Sequence, residues 1–200
     1  MNRMSRGSLF VVTGPSGAGK GTVLGKVRGE LDRLHYSVSL TTRPPREGEE
    51  HGVHYHFCSP DEAMGMIASG HMLEHAEYVG NIYGTPEAPV EAALDAGLDV
   101  ILEIEVQGAL QIKAKRPDAT LVFIAPPSFE ELERRLRGRG TESDEKIASR
   151  LNRARDEQKK VGEFHYVVLN DDADLAAAEL RAIIVAQRCT LARRADVLPG

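Results

Sequence analysis

The nine residues 14–22, GPSGAGKGT, constrain this chain more than any other stretch. They follow a short apolar run, LFVVT at 9–13, and lead into a segment whose Val23, Val27 and Leu31 recur at helical spacing. A buried strand, a glycine-rich turn and a helix, in that order, make a phosphate-binding loop. The glycines let the backbone approach an anion closely, and the helix N-terminus presents unpaired N–H groups with a partial positive charge. Lys20 adds a full charge. Gly14, Pro15, Ser16, Gly17, Ala18, Gly19, Lys20, Gly21 and Thr22 are therefore the candidate triphosphate site. Gly21 stands where a hydroxyl residue would hold Mg²⁺ directly. The metal is left to water and to the triphosphate, which suits an ion that keeps much of its water shell, and Thr22 is the nearest hydroxyl.

Apolar runs and helical stretches alternate along most of the chain. Strands are predicted at 9–13, 36–40, 53–57, 99–106, 120–125 and 166–169, with a strand pair over 71–85 turning at Gly80–Asn81. Helices are predicted over 20–34, 59–70 (Ser59 as N-cap, Pro60 next), 86–97, 128–136, 143–160 and from about 172. Ser128 with Glu131 has the spacing of a capping box. This alternation predicts an α/β fold with a parallel sheet covered on both faces. The polar stretch 37–90, with its TTRPPREGEEHG loop, interrupts the pattern and reads as an inserted flap. A second, arginine-rich insertion follows near 138–150. At 200 residues, 42% hydrophobic and 28% charged, the chain can bury one core as a single domain.

The net charge of −5 argues against a general nucleic-acid binder. Residues 134–160 nevertheless hold ten Lys/Arg against five Asp/Glu, which makes either a solvated helix face or an anion site. Cys58 and Cys189 lie far apart in no metal spacing and read as free thiols of a reducing cytoplasm. The N-terminal MNRMSRG leads into too short an apolar run for a signal sequence or a membrane span. A cytoplasmic protein is expected, with no membrane contact and no protein partner inferred. Five histidines cluster at 51, 54, 56, 71 and 75, but no cysteine joins them, and surface or ligand-facing imidazoles are expected rather than zinc.

Glu103 and Glu105 stand two apart on the strand DVILEIEV and would share a face at the end of an apolar run, where α/β proteins place ligands. Carboxylates there are costly unless paired or metal-linked. Glu103 is assigned to the water shell of Mg²⁺; an inert ion pair is the alternative for either.

The Gly-Lys-Gly-Thr form of the loop resembles the nucleoside monophosphate kinases. The stretch SLTTRPPREGEEHGVHYHF resembles the guanylate kinase signature through Thr41, Thr42, Arg43, Arg46, Glu49, Gly52, Tyr55 and Phe57; Cys58 stands where that family usually has an aliphatic residue or Lys. The likeness runs from Leu9 to about Leu180. It implies a parallel five-stranded phosphate-loop sheet flanked by helices, with a mixed α/β GMP-binding flap at 37–90 and a short helical lid at 127–163. The core would be 1–36, 91–126 and 164–200. It also implies ATP with Mg²⁺ as phosphoryl donor and GMP as acceptor.

By the same likeness, Glu74 and Glu105 would read guanine, with Ser39 and Thr85 as hydroxyl partners. Arg43 and Arg46 are planar forks suited to the GMP phosphate, and Tyr55 and Tyr83, next to Gly84, can donate to it. Glu49 either orients an arginine or is solvated. Arg135, Arg139 and Arg150 match the phosphate-contacting arginines of the lid, and Asn170 matches an adenine contact. Arg135 and Arg139 share a helical face if the helix continues through Gly138. Arg134, Arg137, Arg153 and Arg155 do not match and are expected in solvent.

The charges agree with this reading. Two unit charges 4 Å apart repel by about 4 kcal/mol at an effective dielectric near 20, and two bound nucleotides bring several. A cluster of arginines and Lys20 offsets that repulsion. No general base is needed, because the GMP phosphate is already an ionised nucleophile. The competing readings are a non-catalytic interaction module and a kinase for another phosphorylated acceptor.

Overall fold

The computed structural model describes residues 6–138 and 143–194. The main sheet has five strands in the order β2-β7-β1-β8-β9: β1 (Leu9–Thr13), β2 (Leu34–Tyr36), β7 (Asp99–Glu103), β8 (Thr120–Ala125) and β9 (Tyr166–Leu169). The pairs β1–β8, β2–β7 and β8–β9 all run parallel. All five residues of β1 and five of the six in β8 are buried, as a strand covered on both faces requires. A second, mixed sheet has the order β4-β3-β6-β5, from β3 (Leu40–Thr41), β4 (His56–Phe57), β5 (Met72–Tyr78) and β6 (Asn81–Pro86). Its β3–β4 pair is parallel and its other pairs antiparallel. The α/β class, the five parallel strands and the mixed second sheet agree with expectation.

The helices are α1 (Lys20–Arg28), α2 (Pro60–Ala68), α3 (Glu87–Asp95), α4 (Val106–Lys115), α5 (Phe129–Arg137), α6 (Asp144–Gln158), α7 (Ala173–Arg188) and α8 (Leu191–Arg194). The described residues fall into two compact units. One comprises 6–9, 33–102 and 107–119; the other comprises 10–32, 103–106 and 120–194.

In the first unit, Ser59 caps α2 as expected and the capping box is complete. Its hydroxyl accepts from Glu62 N, and the Glu62 carboxylate accepts from Ser59 N at 2.8 Å. The strand expected over 36–40 is divided instead: Tyr36 ends β2 and Leu40 opens β3 in the other sheet. Likewise only His56 and Phe57 of the run 53–57 form a strand, because Gly52 at φ +79° turns the chain just before it. Helix α4 has no Ser, Thr, Asp or Asn in front of Val106, so no cap signal marks its start.

In the second unit, α1 stops at Arg28 rather than near 34. Gly29 follows it, and Arg33 takes φ +58°, which no helix continues through. Ser128 accepts from Glu131 N at 3.1 Å, but the Glu131 carboxylate turns to Arg134 and Arg135 and leaves the box half made. Helix α5 is described to Arg137 with Gly138 as C-cap; Arg139 lies outside the described residues. Leu132 and Leu136 of α5 pack with Ile147, Leu151 and Ala154 of α6 as one buried cluster.

Candidate active site

In the second unit β1 delivers the chain into the loop 14–19 and α1 carries it away. Gly14 and Gly19 are both at positive φ, +147° and +87°. A Cβ on Gly14 would sit 2.1 Å from the Ile124 carbonyl oxygen, and one on Gly19 would sit 2.2 Å from Asn170 Nδ2. Backbone conformation and close approach both demand glycine there. No side chain caps α1; in its first turn Thr22 N donates to the Gly19 carbonyl at 3.1 Å. Lys20 Nζ donates to the carbonyls of Gly14 (2.7 Å) and Pro15 (3.3 Å), folding back over the loop it follows. A Cβ at Gly21 would meet nothing within 4 Å, so that glycine answers no steric demand.

Three further side chains converge on the loop. Asn170, buried just beyond β9, donates its amide N–H to the Ala18 carbonyl at 2.7 Å. Arg135 donates through Nη2 to the Asn170 carbonyl at 2.9 Å and through Nε to Glu131 at 2.7 Å. Arg150 of α6 reaches Ser16 Oγ at 3.4 Å. Arg135 and Arg150, expected in a lid, thus lie at the phosphate loop. Asn170 thus ties the strand end to the loop through its amide nitrogen.

Glu103 closes β7 with its side chain exposed, but Glu105 lies beyond the strand, between β7 and α4. The two acids therefore do not share a strand face. Glu105 pairs with Arg153 of α6, which also bonds Glu157 at 3.1 Å. Arg153 is correspondingly half-buried and ion-paired rather than solvated. Burial pushes the Glu157 carboxyl up from its ordinary range, against the pull of Arg153. Glu157 is four residues after Arg153 on one helix, the only sequence signal for this pair.

The first unit holds the other candidates. Glu74 on β5 is a buried carboxylate, 5% exposed, directly opposite Thr85 on β6. Thr85 Oγ1 donates to it at 2.7 Å. Arg43 and Glu49 form a two-pronged pair at 2.9 Å on each prong, and Arg46 N adds a bond to Glu49 at 2.7 Å. Glu49 therefore orients Arg43, and its carboxyl is held down to about 2, chiefly by Arg43 and then by Arg46. The Arg43 guanidinium lies 5.6 Å from the Tyr55 ring centroid, and Tyr55 meets Tyr83 edge-on at 6.0 Å. Arg46 itself projects into solvent. Ser39 is half-buried ahead of β3, and its carbonyl accepts from His56 N. Gly84 is buried, where a Cβ would meet the Glu74 carbonyl oxygen at 2.8 Å.

Histidines 51 and 54 have local backbone duties: their Nδ1 atoms accept from Phe57 N and Glu50 N. Among the described residues no group of three or more His, Cys, Asp or Glu is placed to hold a metal, and no helix is long and apolar enough to cross a membrane.

A parallel sheet whose first strand feeds a glycine loop, with a lysine folded over that loop and arginines from two later helices against it, defines a phosphate-loop nucleotide-binding protein. The guanylate kinase family model matches residues 6–187, and the chain belongs to the guanylate kinase family. It is 48% identical over 196 residues to a guanylate kinase of Desulfitobacterium hafniense, covering 98% of each chain. It is 54% identical to one of Lactococcus lactis, covering 91% of this chain and 89% of that one. The crystal structure of guanylate kinase from Anaplasma phagocytophilum superposes with a TM-score of 0.76 at 32% identity, covering 94% of this chain and 90% of that one.

Proposed function

We propose that this chain transfers the γ-phosphoryl group of ATP to GMP, and to dGMP, giving ADP and GDP or dGDP. The observation that carries the acceptor assignment is Glu74, a buried carboxylate aligned by Thr85. Guanine offers two adjacent donors, N1–H and the 2-amino group, and a carboxylate accepts both; adenine lacks that pair. Ser39 and Glu105 are further base contacts in this reading. Glu105 must then exchange its bond to Arg153 for one to the nucleotide or to a bridging water. Arg43, Arg46, Tyr55 and Tyr83 hold the GMP phosphate, with Glu49 locking the Arg43 fork before substrate arrives. That pre-alignment lowers the ordering cost of binding.

The loop 14–22 holds the ATP phosphates, and Lys20, Arg135, Arg139 and Arg150 stabilise charge on the group in flight. Asn170 sets the loop. Thr22, in the first turn of α1, and the exposed Glu103 offer hard oxygen donors that suit Mg²⁺ through its waters. Bound Mg²⁺ neutralises charge on the β- and γ-phosphates. The GMP oxygen attacks phosphorus in line as ADP leaves, with no proton to remove. Closure of the flap at 37–90 and the lid at 127–163 over the core at 1–36, 91–126 and 164–200 excludes water, which would otherwise hydrolyse ATP.

Such a reaction belongs to cytoplasmic purine nucleotide metabolism and GMP recycling, with small molecules as its partners. The decisive experiment is ADP release measured with AMP, GMP, dGMP, CMP and UMP as acceptors. GMP and dGMP should be turned over and the others not; activity on AMP alone would overturn the assignment.

A further inference from the structure

Strand β5 is the outer strand of the mixed sheet, so among the described residues one edge of it lacks a strand neighbour. It is also irregular. Met72 pairs with Pro86 and Glu74 with Thr85, so two steps on β5 match one on β6. Met72, Leu73 and Glu74 are consequently buried in succession, which regular alternation forbids. The bulge is what points Glu74 inward. A bulge breaks the ladder locally, and an outer strand has no second neighbour to restore it.

Helix α4 supplies what is missing. Gln111 Nε2 donates to the His75 carbonyl at 2.8 Å, and Gln111 Oε1 accepts from His75 N at 3.2 Å. One carboxamide thus makes both bonds that a paired strand residue would make. One turn further on, Lys115 Nζ donates to the Met72 carbonyl at 2.9 Å. The two side chains bracket Glu74, holding the backbone on either side of the bulge.

We propose that Gln111, assisted by Lys115, is a positioning residue for base selection: it acts through β5 to keep the Glu74 carboxylate aligned to the guanine donor pair. This rests on Glu74 being the guanine reader. Gln111 touches no nucleotide in this scheme.

The test compares GMP with IMP, which lacks the 2-amino group, in four proteins: unaltered, Gln111→Met, Glu74→Gln and the double variant. Met keeps the length and apolar body of Gln but makes neither bond. In Gln111→Met, kcat/KM for GMP should fall about tenfold, the change expected for two modest hydrogen bonds. The loss should fall mainly on KM for GMP, while KM for ATP stays within twofold. The GMP-to-IMP preference should narrow, and this narrowing should vanish in the Glu74→Gln background. Equal losses for GMP and IMP, or additive effects in the double variant, would overturn the inference. If Gln111→Met does not fold, Lys115→Met, at an exposed side chain with one bond, should narrow the preference less but in the same sense. An unchanged preference there would also overturn it. If Glu74→Gln leaves the preference intact, the reading of Glu74 fails and takes this inference with it; if only the Gln111 and Lys115 variants leave it intact, the reading of Glu74 stands alone.

Discussion

The Asn170 amide donates to the Ala18 carbonyl at 2.7 Å, joining the residue after β9 to the middle of the phosphate loop 152 positions earlier. Gly19 leaves room for that bond, since a Cβ there would sit 2.2 Å from the same nitrogen. Asn170→Ala would leave a loop carbonyl without its partner, at about 1–3 kcal/mol. KM for ATP should rise roughly tenfold or more, with KM for GMP nearly unchanged. Gly19→Ala combines that collision with a backbone conformation that disfavours a side chain, and should impair ATP use more severely. Steady-state kinetics with each nucleotide varied in turn would check both; a loss confined to GMP would refute the loop-positioning role.

Lys20 lies folded over the loop, bonded to the Gly14 and Pro15 carbonyls. The role proposed for it is charge stabilisation during transfer. Lys20→Ala should lower kcat by about 100- to 1,000-fold or more. GMP affinity, measured by calorimetry, should be largely kept. Near-normal turnover would remove Lys20 from the mechanism.

Arg153 holds Glu105 and the largely buried Glu157 together. Arg153→Met should destabilise the fold, because a buried carboxylate loses its counter-charge. The sign of the pH dependence follows from the raised Glu157 carboxyl. A folded-state pKa above the unfolded one means that the cost is present at high pH and is relieved as pH falls towards the unfolded value. The stability gap between Arg153→Met and the parent should therefore shrink as pH falls from neutral into the acid range, as read by urea unfolding. Adding Glu157→Gln should recover much of the loss at neutral pH; no recovery would mean that Arg153 acts some other way.

The Arg43–Glu49 pair carries the opposite sign. Glu49 is depressed from 4.5 to about 2 in the folded chain. Its contribution is fully present above pH 4.5 and is lost as pH falls through about 2. The difference in melting temperature between the parent and Glu49→Gln should be flat above that window and shrink within it. At neutral pH, Glu49→Gln should also raise KM for GMP, since the Arg43 fork is no longer held; an unchanged KM would show that the pair serves stability alone.

Ser59→Ala removes the hydroxyl of the α2 capping box and should cost about 1 kcal/mol of stability. Because Ser59 touches none of the nucleotide candidates, the kinetic constants for both substrates should be unaffected. A changed KM for GMP would mean that α2 communicates with the acceptor residues.

Local chemistry was legible wherever the signal lay within a few residues. Ser59, Ser128, Ser143 and Asp172 mark helix starts that the structure keeps, because a cap is settled by its next three residues. The phosphate loop was legible for the same reason: a strand, a run of glycines, a lysine and a helix are all contiguous. Places where apolar runs misled were those where two elements abut. Periodicity through Val23, Val27 and Leu31 suggests an α1 running to about Leu34, yet Leu34 is a strand residue of β2 paired with Asp99. The run DVILEIEV suggested one strand, yet it ends at Glu103, and the acid two further on is turned to Arg153. Hydrophobic spacing cannot separate a strand end from the start of the next helix when both bury apolar side chains.

By itself the sequence determined the α/β class, the phosphate loop and the residue types needed to meet two anions, since these depend on contiguous pattern and formal charge. Only the tertiary structure decided which charges are engaged with each other. Arg153 with Glu105, Asn170 with Ala18, and Gln111 with His75 are partners chosen by backbones brought together from distant parts of the chain, whereas Arg43 with Glu49 and Arg153 with Glu157 are neighbours along it. The energy of a buried polar group depends on the atom it faces, and spacing along the chain does not specify that atom.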